Sequence, residues 1–477
     1  MIAVDSLNVR LLEAQYAVRG PIVIRAQQLE EQGRKIIYCN IGNPQALKQK
    51  PLSYVRQVIS LLEYPELLHD PALLKRYPGD LIKRVQQLLE WHSHGTGAYT
   101  QSTGIPFIRQ AVAEFIQRRD GIPSTRERII LTDGASKGVQ AVLLALLKGQ
   151  SDGWMIPIPQ YPLYSASLSL YGGKAIGYFL DEQQSWQLSK EALSRSITKA
   201  RGEGINPVGV VVINPGNPTG AVLSYDNIKM IIRFARQQGL SIIADEVYQE
   251  NVYDSNAKFY SFARVMHDMN ETEVSLFSLH SVSKGFLGEC GHRGGYLEAR
   301  NVSNEVMSQF VKLQSISLCA NVSGQFATYL MVSPPKPGDE SYETYMRERN
   351  EILTSLKEKA EILGHGINNI NGMSVDIPQG AMYAFVKFHL PPEKDVDVSS
   401  MTTEEGLEYE AKRDSEYCMH LLEETGICVV PGSGFGQLPG TLHFRTTFLP
   451  SKTEIEELVI KLRRFHEQYT RIEAPVS

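Results

Sequence analysis

The chain is poor in cysteine and tryptophan, with five of the first and three of the second in 477 residues. Cys39, Cys290, Cys319, Cys418 and Cys428 are odd in number, scattered, and never spaced as a C-x-x-C pair. That argues against a disulfide scaffold or a zinc site and fits a reducing compartment. Long apolar runs are also missing. The longest, Ala141 to Leu147, is far too short to cross a bilayer, so no membrane partner is expected. No basic run offsets the formal charge of −5, so nucleic acid is not an expected partner either. The first twenty residues lack the continuous apolar stretch of a secretory signal, and Asp5 and Glu13 weigh against an import presequence. Pro475-Val476-Ser477 is not the peroxisomal Ser-Lys-Leu address. A cytoplasmic protein is expected.

What is present is ordinary for a large globular chain, 42% hydrophobic and 21% charged. From about residue 105 to 320, short apolar strands alternate with amphipathic helices, the pattern of a doubly wound α/β sheet. Pro106 opens a helix with Ile108, Ala111, Val112 and Phe115 on one face. Ile129-Ile130-Leu131, Val210 to Ile213 and Ser241 to Ala244 read as buried strands. Ser224 and Gly239 bracket a helix carrying Ile228, Ile231, Ile232 and Ala235. Pro334-Pro335-Lys336-Pro337-Gly338 reads as the domain hinge. Beyond it come a helix from Tyr345 to Leu363, a strand at Ala381 to Phe385, and a last helix capped by Ser451 and Glu454. The expected division is an N-terminal segment, 1–75, a large α/β domain, 76–333, and a smaller α+β domain, 334–477.

Chemistry-bearing residues recur just after the strands, where ligands bind in open α/β sheets. Asp133-Gly134-Ala135-Ser136 joins a permissive glycine, helix amides and a hydroxyl, either an anion cradle or a plain capped helix. Asn214-Pro215-Gly216-Asn217-Pro218-Thr219-Gly220 is a rigid turn that presents Asn217 as a neutral donor. Asp245-Glu246-Val247-Tyr248 puts a carboxylate at a strand end, suited either to capping or to holding a pyridine nitrogen protonated. Lys284 follows the run Val274 to Leu279 and sits among Ser281, Ser283, glycines and Arg293. Desolvation and nearby cations can bring a lysine down from about 10.4 and make its amine nucleophilic. Hydroxyls, glycine amides and an arginine beside it are groups that hold a phosphate. A phosphate cradle, an amide donor, a carboxylate and a lysine at four successive strand ends suggest pyridoxal phosphate.

With those segments in place, the chain resembles the fold-type I pyridoxal-phosphate aminotransferases. Within them it resembles the alanine aminotransferase group, which includes plant-type glutamate:glyoxylate enzymes. Further matches are Asn40 to Pro44, Gly97-Ala98-Tyr99, Ile156 to Ser165, Gln379 to Tyr383, Thr425 to Gly436 and His443 to Thr447. The Gly288-Glu289-Cys290-Gly291 stretch after Lys284 is the most specific. The resemblance implies a large α/β domain with a mostly parallel sheet and a small α+β domain. It implies that Lys284 forms the Schiff base with pyridoxal 5'-phosphate and later moves the proton. By the same resemblance Asp245 pairs with the ring nitrogen, Asn217 and Tyr248 hold the phenolic oxygen, and Tyr161 stacks on the ring. Ala135, Ser136, Ser281 and Arg293 bind the phosphate, although many relatives place that arginine one residue earlier, where this chain has His292. Tyr99 reaches the phosphate of a neighbouring subunit, which implies a homodimer with shared sites and dimer contacts from residues 1–75. Gly42 lies in a loop that closes over the substrate, and Arg445 clamps its α-carboxylate.

His280, His292 and Cys290 read as bystanders, and Tyr383, Phe385 and Phe388 as core strand residues. His92 and His94 are spaced like metal ligands on a strand, but no carboxylate or cysteine accompanies them and no metal is expected. The implied partners are amino acids and 2-oxo acids, and the implied reaction is L-alanine with 2-oxoglutarate. Glutamate:glyoxylate transamination is the alternative. A lyase such as an aminocyclopropane carboxylate synthase fits the Gly-Glu-Cys-Gly stretch less well. A ligand-sensing regulator would need a DNA-binding domain ahead of Gly42.

Overall fold

Strand Ile129–Thr132 (β1) is the first of seven that pair into the main sheet. The others are Asp152–Ile158 (β2), Lys174–Phe179 (β3), Asn206–Ile213 (β4), Ser241–Asp245 (β5), Leu276–Ser281 (β6) and Gly295–Arg300 (β7). In this computed structural model, residues 2–14, 20–391 and 401–473 are described, and Pro475-Val476-Ser477 lies outside them. The strand order is β1-β7-β6-β5-β4-β2-β3. Only β7 runs antiparallel to its neighbours β1 and β6; the other pairings are parallel. Strands β1, β6 and β7 are buried at every position, whereas edge strand β3 alternates exposed and buried residues. Covered on both faces, the inner strands can be apolar throughout, as parallel sheets require.

The helices begin and end where local chemistry dictates. Pro106–Asp120 (α1) has proline in its first turn and stops at Gly121, whose φ is +70°. It buries Ile108, Ala111, Val112 and Ile116, while Phe115 is only half-buried. Ala135–Leu146 (α2) starts directly after β1. Tyr225–Gln238 (α3) is capped by Ser224, which accepts the Asn227 amide, and ends at Gly239 in the left-handed region. Its Ile228, Ile231, Ile232 and Ala235 are buried, as the sequence periodicity requires.

A second, antiparallel sheet contains Met373–Ser374 (β8), Tyr383–Phe388 (β9), Val430–Pro431 (β10) and Leu442–Thr447 (β11), in the order β10-β11-β9-β8. Against it pack Tyr342–Asn368 (α4) and Thr403–Thr425 (α5), and Lys452–Glu473 (α6) packs on both of those helices. Strand β9 starts two residues later than the sequence pattern suggests. Ala381, with φ of +57°, breaks the extended conformation ahead of it. Ser451 and Glu454 form the expected reciprocal cap on α6: Ser451 N–H donates to the Glu454 carboxylate and Glu454 N–H to Ser451 Oγ.

Of the hydrophobic cores among the described residues, two meet along α4. Tyr345 near the start of α4 packs with Tyr54 and Phe286 in one, while Leu356, Ala360 and Leu363 further along lie in the other. The passage between cores therefore runs along α4, after the proline-rich loop 334–338. Residues 1–75 divide likewise. Ile37–Tyr38 pairs with Ile427–Cys428 beside the smaller sheet, whereas helix Ser53–Glu63 buries Val55, Val58 and Leu62 in the core shared with α1.

Candidate active site

The carboxyl ends of β1, β4, β5 and β6 open onto one cavity of about 500 Å³. The turns that follow them place Ala135 and Ser136, Asn217, Asp245 and Tyr248, and Ser281 and Lys284 on its wall. Because β7 runs the other way, Gly295 at its start pairs with Ser281 at the end of β6. Arg293, just ahead of β7, therefore reaches the same edge. Gly42 comes from the N-terminal segment, and Tyr383 and Arg445 from the smaller sheet.

At one end, α2 aims its amide end into the cavity from Gly134, whose φ is +72°. A Cβ on residue 134 would lie 2.6 Å from the Arg293 guanidinium, so glycine lets that side chain cross the helix start. Arg293 donates to the carbonyls of Asp133 and Cys290, each at 3.0 Å. Ser136 and Ser281 add hydroxyls. Helix amides, two hydroxyls and a guanidinium make an anion site. The extra residue between Lys284 and Arg293 is taken up by the short turn Cys290–His292, after which Arg293 is left-handed at φ +51°. His292 turns to Glu289 instead, at 3.6 Å.

At the other end, Asp245 is buried and accepts from the Tyr164 hydroxyl at 2.7 Å and the Val247 amide at 3.5 Å. Burial pushes its carboxyl above the ordinary range, despite those two donors and the charge of Lys284. A cation brought alongside would reverse that shift. Asn217 accepts from Arg445 through its Oδ1 at 3.2 Å, which leaves its NH2 group to donate. The Tyr248 hydroxyl lies 3.5 Å from that of Tyr383, and Tyr161 also lines the cavity.

Lys284 Nζ donates to the Gly42 carbonyl at 2.7 Å and lies 5.8 Å above the Tyr248 ring. Arg445, 1% exposed, lies over the Tyr383 ring at 4.2 Å and the Phe435 ring at 4.6 Å. It donates to Asn217 and to the Asn40 carbonyl, and its Nε has no protein partner among the described residues. A buried guanidinium in contact with two rings, with an unused donor, suits a carboxylate.

Tyr99 is the expected site residue that the fold does not bring here. It is 77% exposed and lines a separate groove with Trp91 and Phe107. Sequence reasoning missed three contributors: Tyr383, Tyr164 and the Asn40 carbonyl. Tyr383 alternates along β9 as a core residue would, and its hydroxyl becomes conspicuous only once β9 meets the Gly42 loop. The bystanders have other roles. His280 is buried, stacked on Phe115, and Cys290 Sγ donates to the Ser283 carbonyl. His92 caps helix Gly79–Trp91 rather than lying on a strand.

Pyridoxal phosphate fits this donor set. The α2 start with Arg293 could hold its phosphate, Asp245 could face its ring nitrogen, Asn217 and Tyr248 its phenolic oxygen, and Lys284 its aldehyde. Comparison with known proteins agrees. The profile of the family described as aminotransferase class I and II matches residues 75–462. A probable mitochondrial alanine aminotransferase of Dictyostelium discoideum is 47% identical, over 98% of this chain and 89% of that one. Glutamate–glyoxylate aminotransferase 2 of Arabidopsis thaliana is 46% identical, over 98% and 96%. Among solved structures, an alanine aminotransferase from Pyrococcus furiosus superposes with a TM-score of 0.77 at 26% identity, covering 97% of this chain and all of that one. With its family profile, its relatives and its lysine-centred cavity in accord, the chain belongs to the class I and II aminotransferases, enzymes that work with pyridoxal phosphate.

Proposed function

We propose that this enzyme moves the amino group of L-alanine to 2-oxoglutarate in a ping-pong cycle, giving pyruvate and L-glutamate. The observation that carries the reading is the meeting of Lys284, Asp245 and Arg445 in one cavity, together with the names of the relatives. Pyridoxal phosphate, when bound, supplies an electrophilic carbon for the amino group and a ring that takes up the charge left on Cα. The residues of the chain do the rest. Arg445 grips the α-carboxylate with its planar fork, and Asn217 steadies that fork. Lys284 Nζ takes the proton from the substrate Cα and later returns one. Asp245 balances a protonated ring nitrogen, with Tyr164 holding the carboxylate in place. The Gly42 loop covers the lysine and excludes water from the reacting atoms. Tyr99, exposed on its own subunit, is suited to reach the phosphate of a second copy, so the active form is a homodimer.

A second reading is glutamate:glyoxylate transamination, supported by the relative from Arabidopsis thaliana. A kcat/KM panel separates the two: alanine, glutamate, aspartate and serine as donors against pyruvate, 2-oxoglutarate and glyoxylate. Alanine with 2-oxoglutarate is expected to exceed every other pair. A maximum at glutamate with glyoxylate would replace the first reading by the second.

A further inference from the structure

We propose that Tyr383 is a positioning residue for both halves of the reaction: its ring sets the Arg445 fork, and its hydroxyl, with Tyr248, steadies the proton that Lys284 carries. This rests on the reading of Arg445 as the carboxylate clamp and Lys284 as the base.

Tyr383 opens β9, where its backbone pairs with Thr447 two residues beyond Arg445 on β11. That register brings the guanidinium over its ring at 4.2 Å, and the Phe435 ring is the second aromatic contact, at 4.6 Å. Cation–π contact with two rings, added to the bonds to Asn217 and the Asn40 carbonyl, restricts how the guanidinium can turn to meet a carboxylate. The hydroxyl faces Tyr248 and Gly42. It lies 3.5 Å from the Tyr248 hydroxyl and occupies the space beside Gly42, where a Cβ would come within 1.8 Å of it. That same Cβ would lie 3.1 Å from Lys284 Nζ, so phenol and amine flank one glycine.

The charged and titratable groups around the hydroxyl are Lys284, Arg445, Tyr248 and Cys290. Burial alone would raise the phenol, but the charges of Lys284 and Arg445 and the bond from Tyr248 outweigh it, so the Tyr383 phenol lies below its ordinary range. Tyr248 is pushed well above its own, by burial and then by Tyr383. Of the pair, Tyr383 is the acceptor-leaning member beside the lysine cation.

Two substitutions separate ring from hydroxyl. Tyr383→Phe keeps the ring and removes only the oxygen. Its KM for amino acids should stay within about 2-fold of wild type while kcat falls about 10-fold. Tyr383→Leu also removes the aromatic face, and KM should rise about 10-fold for every amino acid alike. An ultraviolet difference titration of the full-length enzyme, with and without cofactor, supplies a readout apart from turnover. Wild type minus Tyr383→Phe should reveal one phenol ionising below the ordinary value of about 10. Arg445→Lys is the control. If its KM is that of wild type, the clamp reading fails and the proposal falls with it. If its KM rises for all amino acids, wild-type kcat in Tyr383→Phe, unchanged KM in Tyr383→Leu, or a difference titration at or above the ordinary tyrosine value overturns the role of Tyr383 alone.

Discussion

Gly42→Ala adds one methyl group directly against Tyr383 and Lys284. The new Cβ would stand 1.8 Å from the Tyr383 hydroxyl oxygen, 2.8 Å from Tyr383 Cζ and 3.1 Å from Lys284 Nζ. Ordinary contact begins near 3.4 Å, so something must give by well over an ångström. Tyr383 is poorly placed to move, because its backbone is paired with Thr447 and its ring lies under Arg445. The loop must lift instead. It is held by Gln45 and Gln49, which donate to the carbonyls of Gly288 and Phe286, and by the Asn40 carbonyl that receives Arg445. Lifting it breaks the Lys284–Gly42 bond and loosens the Arg445 clamp. Overpacking of this kind costs about 1–3 kcal/mol. At about 1.4 kcal/mol per decade, the upper part of that range is roughly 100-fold in rate. A displacement of about 1 Å at a reacting centre costs the same order.

The assay is kcat/KM for alanine with 2-oxoglutarate, where Gly42→Ala should fall on the order of 100-fold. Tyr383→Phe removes the atom at 1.8 Å but leaves Cζ, so it relieves the clash in part. The double variant should therefore be no worse than Gly42→Ala alone. Independent sites would multiply, giving a combined loss of about 1000-fold. A Gly42→Ala enzyme within 2-fold of wild type, or singles that multiply, would refute the placement of the Tyr383 hydroxyl against this loop.

Lys284→Ala should abolish turnover and the visible absorbance of bound cofactor; retained transamination would remove Lys284 from its role. Asp245→Ala should weaken cofactor retention on dialysis and cut kcat about 100-fold or more, because the ring nitrogen loses its counter-charge and Tyr164 its partner; normal kinetics would exclude Asp245. His280 tests the pH dependence of stability. Burial, and then Arg119, hold its imidazole down to about 3, and neither ring nitrogen has a protein partner among the described residues. Below about pH 6.5 the unfolded chain binds a proton there that the folded chain refuses, so stability falls as pH drops towards 3. His280→Phe should flatten that acid limb in denaturant midpoints measured across the window. An unchanged slope would show that His280 does not carry it.

The parts of the site that lie close to a strand end were legible in the sequence, and the parts made by two distant segments were not. Asp245, Asn217, Ser281 and Lys284 each follow a run of apolar residues, and an open parallel sheet puts such positions on one edge. Arg293 was harder. Its reach depends on β7 running antiparallel and on a left-handed backbone at residue 293, neither of which spacing along the chain reveals. Tyr383 was hardest, because a buried strand tyrosine gives the same signal whether its hydroxyl ends in a core or at a lysine. What distinguishes the two is a glycine 341 positions earlier, whose absent side chain leaves room for that hydroxyl. In the sequence, Gly42 signals only a loop. Its physical reason for being glycine is instead a long-range fit: with no φ in the left-handed region to explain it, only the Tyr383 oxygen and the Lys284 amine do. The closing loop, the base and the carboxylate clamp are thus joined by one phenol. Lys284 and Arg445 also bind the loop directly, through the Gly42 and Asn40 carbonyls, so a change at Tyr383 acts beside those two bonds rather than in place of them.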